Sequence, residues 1–384
     1  MYISRLIAKN WKNFTNIDVS LQNVVYLVGP NASGKSNFLD IFRFLRDIVN
    51  PNGGGLQKAI SDRGGLKKVR CLAARKYPNV ELQVELKDDL SDEIPSWIYK
   101  LSFQGDQSNK KRVRIVSEEV WKNGNRILFR PEKEDKEDTE RMTSTFLEQV
   151  NANKKFREIA DCFDDVHYLH LVPQLLKFGN QLAVQRMESD PFGQGFLDMV
   201  AGTPGRTRDS RLTRINAILE SVTPQFKELK FERDETTGVP HLKVRYDNWR
   251  DNGAWQSEDQ FSDGTLRLIS LLWMLMGSKK LVLLEEPELS LHGPIVEQIP
   301  RLFYSALTSR KTAIGQIVVS THSERLLSDK SLDGSSFLIV RPGEKGETSR
   351  IESLGDDDKK AIRAGKSPAT IVFAKTESTV KRMT

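Results

Sequence analysis

The period of apolar and polar positions changes along the chain, and the changes divide it. Val24–Val28 is a short β-branched run that stops at a glycine. Phe38, Ile41, Phe42, Leu45 and Ile48 then recur at helical spacing. The order is strand, glycine loop, helix, and Pro51, Asn52 and three glycines end the helix. Residues 80–86 and 98–103 alternate with period two, as strands do. Another strand, 112–121, turns at Asn123-Gly124 and returns through 127–129, a hairpin signal. The run 131–140 carries so much charge that it reads as a solvated loop. Residues 140–220 are predicted mainly helical, with a loop rich in Gly, Pro and Arg near 202–210. A strand pair follows at 228–233 and 241–246. The pattern then returns to α/β, with a buried helix over 266–276 and short buried strands at 281–284, 316–320 and 337–340.

Three segments carry chemistry. Gly29-Pro30-Asn31-Ala32-Ser33-Gly34-Lys35-Ser36, followed by Asn37, holds a complete G-x-x-x-x-G-K-S between the predicted strand and helix. Glycines let the backbone wrap a phosphate chain with N–H groups pointing inward, and the helix beginning there adds its positive end. In this pattern Lys35 reaches the β- and γ-phosphates and Ser36 ligates Mg²⁺. A chance match in a glycine loop competes poorly, because the strand–loop–helix setting is also met. Leu281-Val282-Leu283-Leu284-Glu285-Glu286 puts two carboxylates at the end of an apolar strand, where ligands bind in an open parallel sheet. Glu285 is the candidate Mg²⁺ ligand, and Glu286 the candidate to orient and polarise an attacking water. Phe261-Ser262-Asp263-Gly264-Thr265-Leu266-Arg267 stands just ahead. There Ser262 and Gly264 open a helix, either to hold a phosphate or simply to cap it.

In this order the segments resemble the ABC-type ATPases, and within them the RecF/SMC/OLD branch of DNA-associated ATPases rather than the transporters. Lys9-Asn10-Trp11-Lys12-Asn13-Phe14 resembles that branch's N-F-R-S-F opening, and Glu285-Glu286-Pro287-Glu288-Leu289-Ser290-Leu291-His292 its E-E-P-E-x-x-L-H segment. Ser262-Asp263-Gly264 stands at the signature position, and Ser320-Thr321-His322-Ser323 at that of the switch histidine. The matched segments lie toward both ends of the chain. Lys12 takes the place of a usual arginine, Asp263 of a glycine, Glu285 of an aspartate and Gly293 of a proline. The resemblance implies ATP and Mg²⁺ as cofactors and two nucleotides held head to tail between two subunits. The loop 29–36 of one subunit then faces Ser262 and Gly264 of the other, a C₂ arrangement. It implies catalytic roles for Lys35, Glu286 and His322, a nucleotide contact by Lys12, and a Q-loop glutamine near the metal. Gln174 is the candidate for that last role. The expected fold is α/β: an ABC-type P-loop ATPase core with an antiparallel β subdomain and a helical insertion, divided at 1–135, 136–225 and 226–384.

Composition narrows the partners. No apolar run reaches membrane-spanning length, and the N-terminal residues lack the pattern of a signal peptide. Cys71 and Cys162 show no paired spacing, so neither a disulfide framework nor a zinc site is expected, and the cytoplasm fits best. The net charge of +6 permits DNA without demanding it. Three basic clusters could meet phosphates: Arg63, Lys67, Lys68 and Arg70; Lys110, Lys111, Arg112 and Arg114; Arg206, Arg208, Arg211 and Arg214. Asp356-Asp357-Asp358 lacks a preceding apolar strand and reads as a solvated turn rather than a metal cluster. OLD proteins carry a nuclease after the ATPase, and the residues beyond Val340 are too few for one, so any effector is expected as a separate chain. The favoured function is therefore an ATP-dependent homodimer, open to higher assembly, that scaffolds an antiviral defence complex. The competing function is a RecF-like DNA clamp in repair.

Overall fold

A computed structural model describes residues 1–74, 77–106, 109, 111–179, 190–223, 225–247, 255–277, 280–308, 314–343 and 348–380. The strands in chain order are β1 (Tyr2–Trp11), β2 (Phe14–Ser20), β3 (Val24–Val28), β4 (Val80–Lys87), β5 (Trp97–Gly105), β6 (Val113–Lys122) and β7 (Asn125–Arg130). Then come β8 (Val166–Leu169), β9 (Phe226–Arg233), β10 (Pro240–Tyr246), β11 (Gln256–Ser257), β12 (Leu281–Glu285), β13 (Gln316–Thr321), β14 (Phe337–Pro342) and β15 (Ser349–Ser353).

Among the described residues the main sheet runs β7-β6-β5-β4-β1-β2-β15-β14-β3-β13-β12-β8. One end is antiparallel from β7 to β2. The other end, β14-β3-β13-β12-β8, is parallel throughout. The parallel strands are apolar on both faces, so each must be covered on both sides. In β3, Val25 and Leu27 face a core built on helix Lys35–Val49, while Tyr26 and Val28 face a second core built on helix Asp263–Gly277. Leu283 and Val318 repeat the first choice, and Val282, Leu284, Ile317 and Val319 the second. The two helices that open at the P-loop and at Ser262 are thus stacked on opposite faces of one sheet.

The helical spacing of Phe38, Ile41, Phe42, Leu45 and Ile48 is realised, and all five are buried. The turn between β6 and β7 has Asn123 and Gly124 both at positive φ, 48° and 78°, which a two-residue hairpin favours.

Three expectations change. The charged run 131–140 is not wholly solvated. It contains helix Lys133–Glu137, and Asp135 is buried because it forks onto the buried guanidinium of Arg130 at 3.0 Å through both oxygens. Local charge density could not reveal that partner. The segment 205–210 is the start of helix Gly205–Val222, not a loop. Pro204 sits at its N-cap, and Leu212, Ile215 and Leu219 bury its stripe. Within the interval read as mainly helical, Val166–Leu169 is the edge strand of the parallel sheet, paired with β12. Four residues are too short a run for periodicity to separate strand from helix.

Candidate functional site

The carboxyl ends of β3, β13 and β12, three neighbouring parallel strands, deliver the candidate residues to one place. The loop after β3 carries Gly29 to Gly34, and helix Lys35–Val49 starts directly after it. An open cleft of about 370 Å³ is lined by Asn31, Ala32, Gly34, Lys35, Ser36, Asn37 and Glu286. Gly34 sits at φ 108°, a left-handed conformation that side chains rarely adopt. A Cβ there would also lie 2.3 Å from the Asn13 amide nitrogen. Asn13, in the β1–β2 turn, braces the loop: its amide donates to Ser33 O at 3.2 Å and accepts from the Asn37 amide at 2.9 Å.

Lys35 folds onto its own loop, donating to Gly29 O at 2.8 Å and Pro30 O at 3.1 Å. Burial lowers its pKa, while Glu286, Glu285 and Glu288 oppose that shift. Ser36 Oγ donates to Glu285 Oε1, and the Tyr168 hydroxyl donates to Glu285 Oε2. Burial raises the Tyr168 pKa, and the bond to Glu285 reinforces it. Periodicity does not single out Tyr168, because the four residues of β8 are too short to carry a period. Its signal was the strand-like run of Val166, Tyr168 and Leu169 just before Gln174.

Glu286 has φ 45° and its N–H donates to Ser320 O at 3.0 Å, so the chain bends sharply as it leaves β12. Its Oε1 lies 3.2 Å from His322 Nδ1. Glu288 is buried; Oε1 accepts the Thr321 hydroxyl at 2.6 Å and the His322 N–H at 3.3 Å. Burial raises the Glu288 pKa against these hydrogen bonds. Arg267, also buried, donates from Nη2 to Glu286 O at 3.1 Å. Its pKa is lowered by burial. The helix that opens at the signature position therefore grips the backbone of Glu286. The sequence does not show this role of Arg267, since the contact joins residues that only the fold brings together.

Ser262 and Gly264 have local duties in the single chain. Ser262 caps its helix: Oγ accepts Thr265 N–H at 3.0 Å, and the residue stays exposed. A Cβ on Gly264 would sit 2.5 Å from Ser290 O, so the close approach of that turn requires glycine. Gln174 Nε2 reaches Asp263 Oδ2 at 3.4 Å, and Lys177 pairs with the same carboxylate at 2.8 Å. The residue of that segment bonded to Glu285 is Tyr168, not Gln174. Lys12 pairs with buried Asp40 at 2.6 Å, so its ammonium is engaged inside the fold.

The basic clusters are partly absorbed as well. Arg63 forks onto Asp40 and reaches Asp47 at 2.9 Å, which makes it a core ion pair rather than a phosphate contact. Arg112 and Arg114 pair with Glu140, and Lys110 lies outside the described residues. Arg208 lies over Phe231 and Arg211 over Trp273, at 4.1 and 5.2 Å. Lys67, Lys68, Lys111 and Arg206 are exposed. Asp356-Asp357-Asp358 opens helix Asp356–Arg363, where Asp358 accepts the Gly355 N–H at 3.2 Å. Among the described residues no group of three or more His, Cys, Asp or Glu is placed to hold a metal. Among them, too, no helix is long and apolar enough to cross a membrane.

The chain is similar to known proteins. The chain is 20% identical to endonuclease GajA of Bacillus cereus (strain VD045) over 372 residues, 90% of this chain and 59% of that protein. It thus spans about three-fifths of that relative's length. A shorter match, 28% identical over 89 residues, is to the DNA replication and repair protein RecF of Synechocystis, covering 23% of each. The fold is similar to that of an SMC head crystallised with the C-terminal winged-helix domain of ScpA. The TM-score is 0.57 at 14% identity, over 94% of this chain and 100% of that one. The family described as AAA domain, putative AbiEii toxin, Type IV TA system matches residues 24–328, and the chain belongs to it, as an ABC-type P-loop ATPase of the RecF/SMC/OLD branch.

Proposed function

We propose that the chain binds ATP with Mg²⁺ and hydrolyses it between two copies of itself, and that the dimer is the scaffold and sensor of an antiviral defence complex controlling a separate effector. The observation that carries the ATPase reading is the gathering of Lys35, Ser36, Glu285, Glu286 and His322 at the ends of three adjacent parallel strands. In this reading Lys35 leaves its own carbonyls for the β- and γ-phosphates, which the N–H groups of the loop and helix start also hold. Ser36 and Glu285 are hard oxygen donors already in contact, the set Mg²⁺ takes; when bound it neutralises charge on the phosphates. Tyr168 keeps the Glu285 carboxylate turned toward Ser36. Glu286 orients the attacking water, and His322 steadies that carboxylate and senses the γ-phosphate.

Dimerisation is supported by the exposure of Ser262 at the head of a long helix, where a phosphate from a second copy can be met. The test is the solution mass of Glu286→Gln with and without ATP and Mg²⁺. The expected result is a monomer that becomes a dimer with ATP. A protein that binds ATP and stays monomeric at all concentrations overturns the sandwich. The defence role is supported by the family description and by the similarity to GajA. Phage plating on cells carrying the chain with its neighbouring genes tests it: Lys35→Ala must abolish protection. The RecF match favours a second reading, a DNA clamp in repair. Tight, salt-sensitive DNA binding by the ATP-bound dimer, with no effect on phage plating, selects that reading.

A further inference from the structure

We propose that Glu288 is a positioning residue for ATP hydrolysis, fixing the turn that carries His322 so that the imidazole stays aimed at Glu286 and the γ-phosphate. This rests on the reading that Glu286 and His322 act there.

Glu288 is 7% exposed. A polar atom so buried ordinarily has at least one hydrogen-bond partner, so a buried carboxylate is expected to bond through both oxygens. Glu118, buried in the antiparallel lobe, does so: one oxygen accepts the Tyr99 hydroxyl and the Leu147 N–H, the other Arg130 and the Phe146 N–H. Glu288 does not. Its Oε1 takes the Thr321 hydroxyl and the His322 N–H, while its buried Oε2 has no partner. Thr321 Oγ1 in turn accepts the Ser323 N–H at 3.0 Å. Glu288 and Thr321 together therefore pin the backbone on both sides of His322.

The imidazole stands between two acids. Nδ1 lies 3.2 Å from Glu286 Oε1 and 4.0 Å from Glu288 Oε1. Among the described residues, His322 is the only ion-pair partner of Glu288. When Glu286 turns to a water at the γ-phosphate, its bond to His322 is given up. The Glu288–Thr321 clamp then holds the ring in place, and the Glu288 charge still faces Nδ1. Glu288 touches neither the phosphate loop nor Glu285 through a hydrogen bond, so it acts through His322.

The experiment compares Glu288→Gln, Thr321→Val, His322→Ala and Glu288→Gln/His322→Ala in the full chain, measuring ATP turnover, ATP affinity and Tm. Gln keeps an acceptor for Thr321 and the His322 N–H but removes the charge. Glu288→Gln is expected to lower kcat by roughly tenfold or more, with ATP affinity within about twofold and Tm unchanged. In the His322→Ala background it should add nothing further. Wild-type turnover by Glu288→Gln overturns the proposal, as do losses that multiply in the double variant. If Glu288→Gln folds poorly, Thr321→Val decides, because it breaks the clamp while the Glu288 carboxyl itself is kept, and a wild-type turnover by it overturns the proposal. Glu286→Gln separates the two levels. If it hydrolyses ATP normally, the proposed function falls and this inference with it. If it is dead while Glu288→Gln is fully active, only this inference falls.

Discussion

The two ends of the main sheet use charge in opposite ways. In the antiparallel lobe Arg130 is fully buried and pairs with Glu118 and Asp135 at 3.0 Å, and its remaining donors reach Ser144 O and Arg141 O. Hydrogen bonding to Arg130 holds Asp135 at about 2 despite its burial, while desolvation pushes Glu118 up. At the end of the parallel strands the charges are held provisionally. Lys35 rests on its own loop, His322 is shared between two acids, and Glu288 Oε2 and Arg267 Nε have no partner. A saturated network can only hold a shape. A network with spare donors and acceptors can exchange partners with a ligand, which is what a phosphate site must do.

Breaking each network should give a different signature. The largest effect is at the parallel end: Glu286→Gln should lower turnover by on the order of 10²–10⁴ with Tm unchanged, read by phosphate release. At the other end Arg130→Met should destabilise by about 3–5 kcal/mol, since it strands two buried acids. Its unfolding midpoint should drop sharply, while any correctly folded fraction still binds ATP. Gly34→Ala is smaller, about 1–2 kcal/mol for the left-handed backbone. The shift it forces against Asn13 should show as weaker ATP affinity. The last is a pH dependence. Glu148 accepts the Leu56 and Thr145 N–H groups, and burial beside Glu118 pushes its pKa from 4.5 up to about 7. A raised acid pKa means the folded state binds the proton more tightly. The stability it gives is fully present below pH 4.5 and is lost as pH rises through 7. Tm should therefore fall between pH 5 and about 7.5 in the wild type and less in Glu148→Gln; parallel curves would show that Glu148 does not titrate there.

Legibility in the sequence followed the range of the interaction. Helix Lys35–Val49 was readable because its stripe repeats over fifteen residues, and the β6–β7 turn because Asn-Gly sits on it. Strand β8 was not readable, because four residues carry no period, and its partner β12 lies more than a hundred residues away. With β8 went Tyr168, the residue that holds Glu285. Charge misled for the same reason. Arg63 and Asp135 look solvated beside their neighbours in the chain, and both are sealed by partners that only the fold supplies.

By itself the sequence determined which groups could do chemistry: a phosphate loop between strand and helix, two acids ending an apolar strand, a histidine ending another. These signals are local, fixed by backbone conformation and by the alternation of side chains within one element. Only the tertiary structure decided which of them meet. It joined Ser36 to Glu285, His322 to Glu286, and Arg267 to the backbone of Glu286. It also paired both Lys12 and Arg63 with Asp40. Hydrogen bonds and ion pairs act over a few ångströms in space, and the sequence does not say which distant residues will come that close until the sheet order is set.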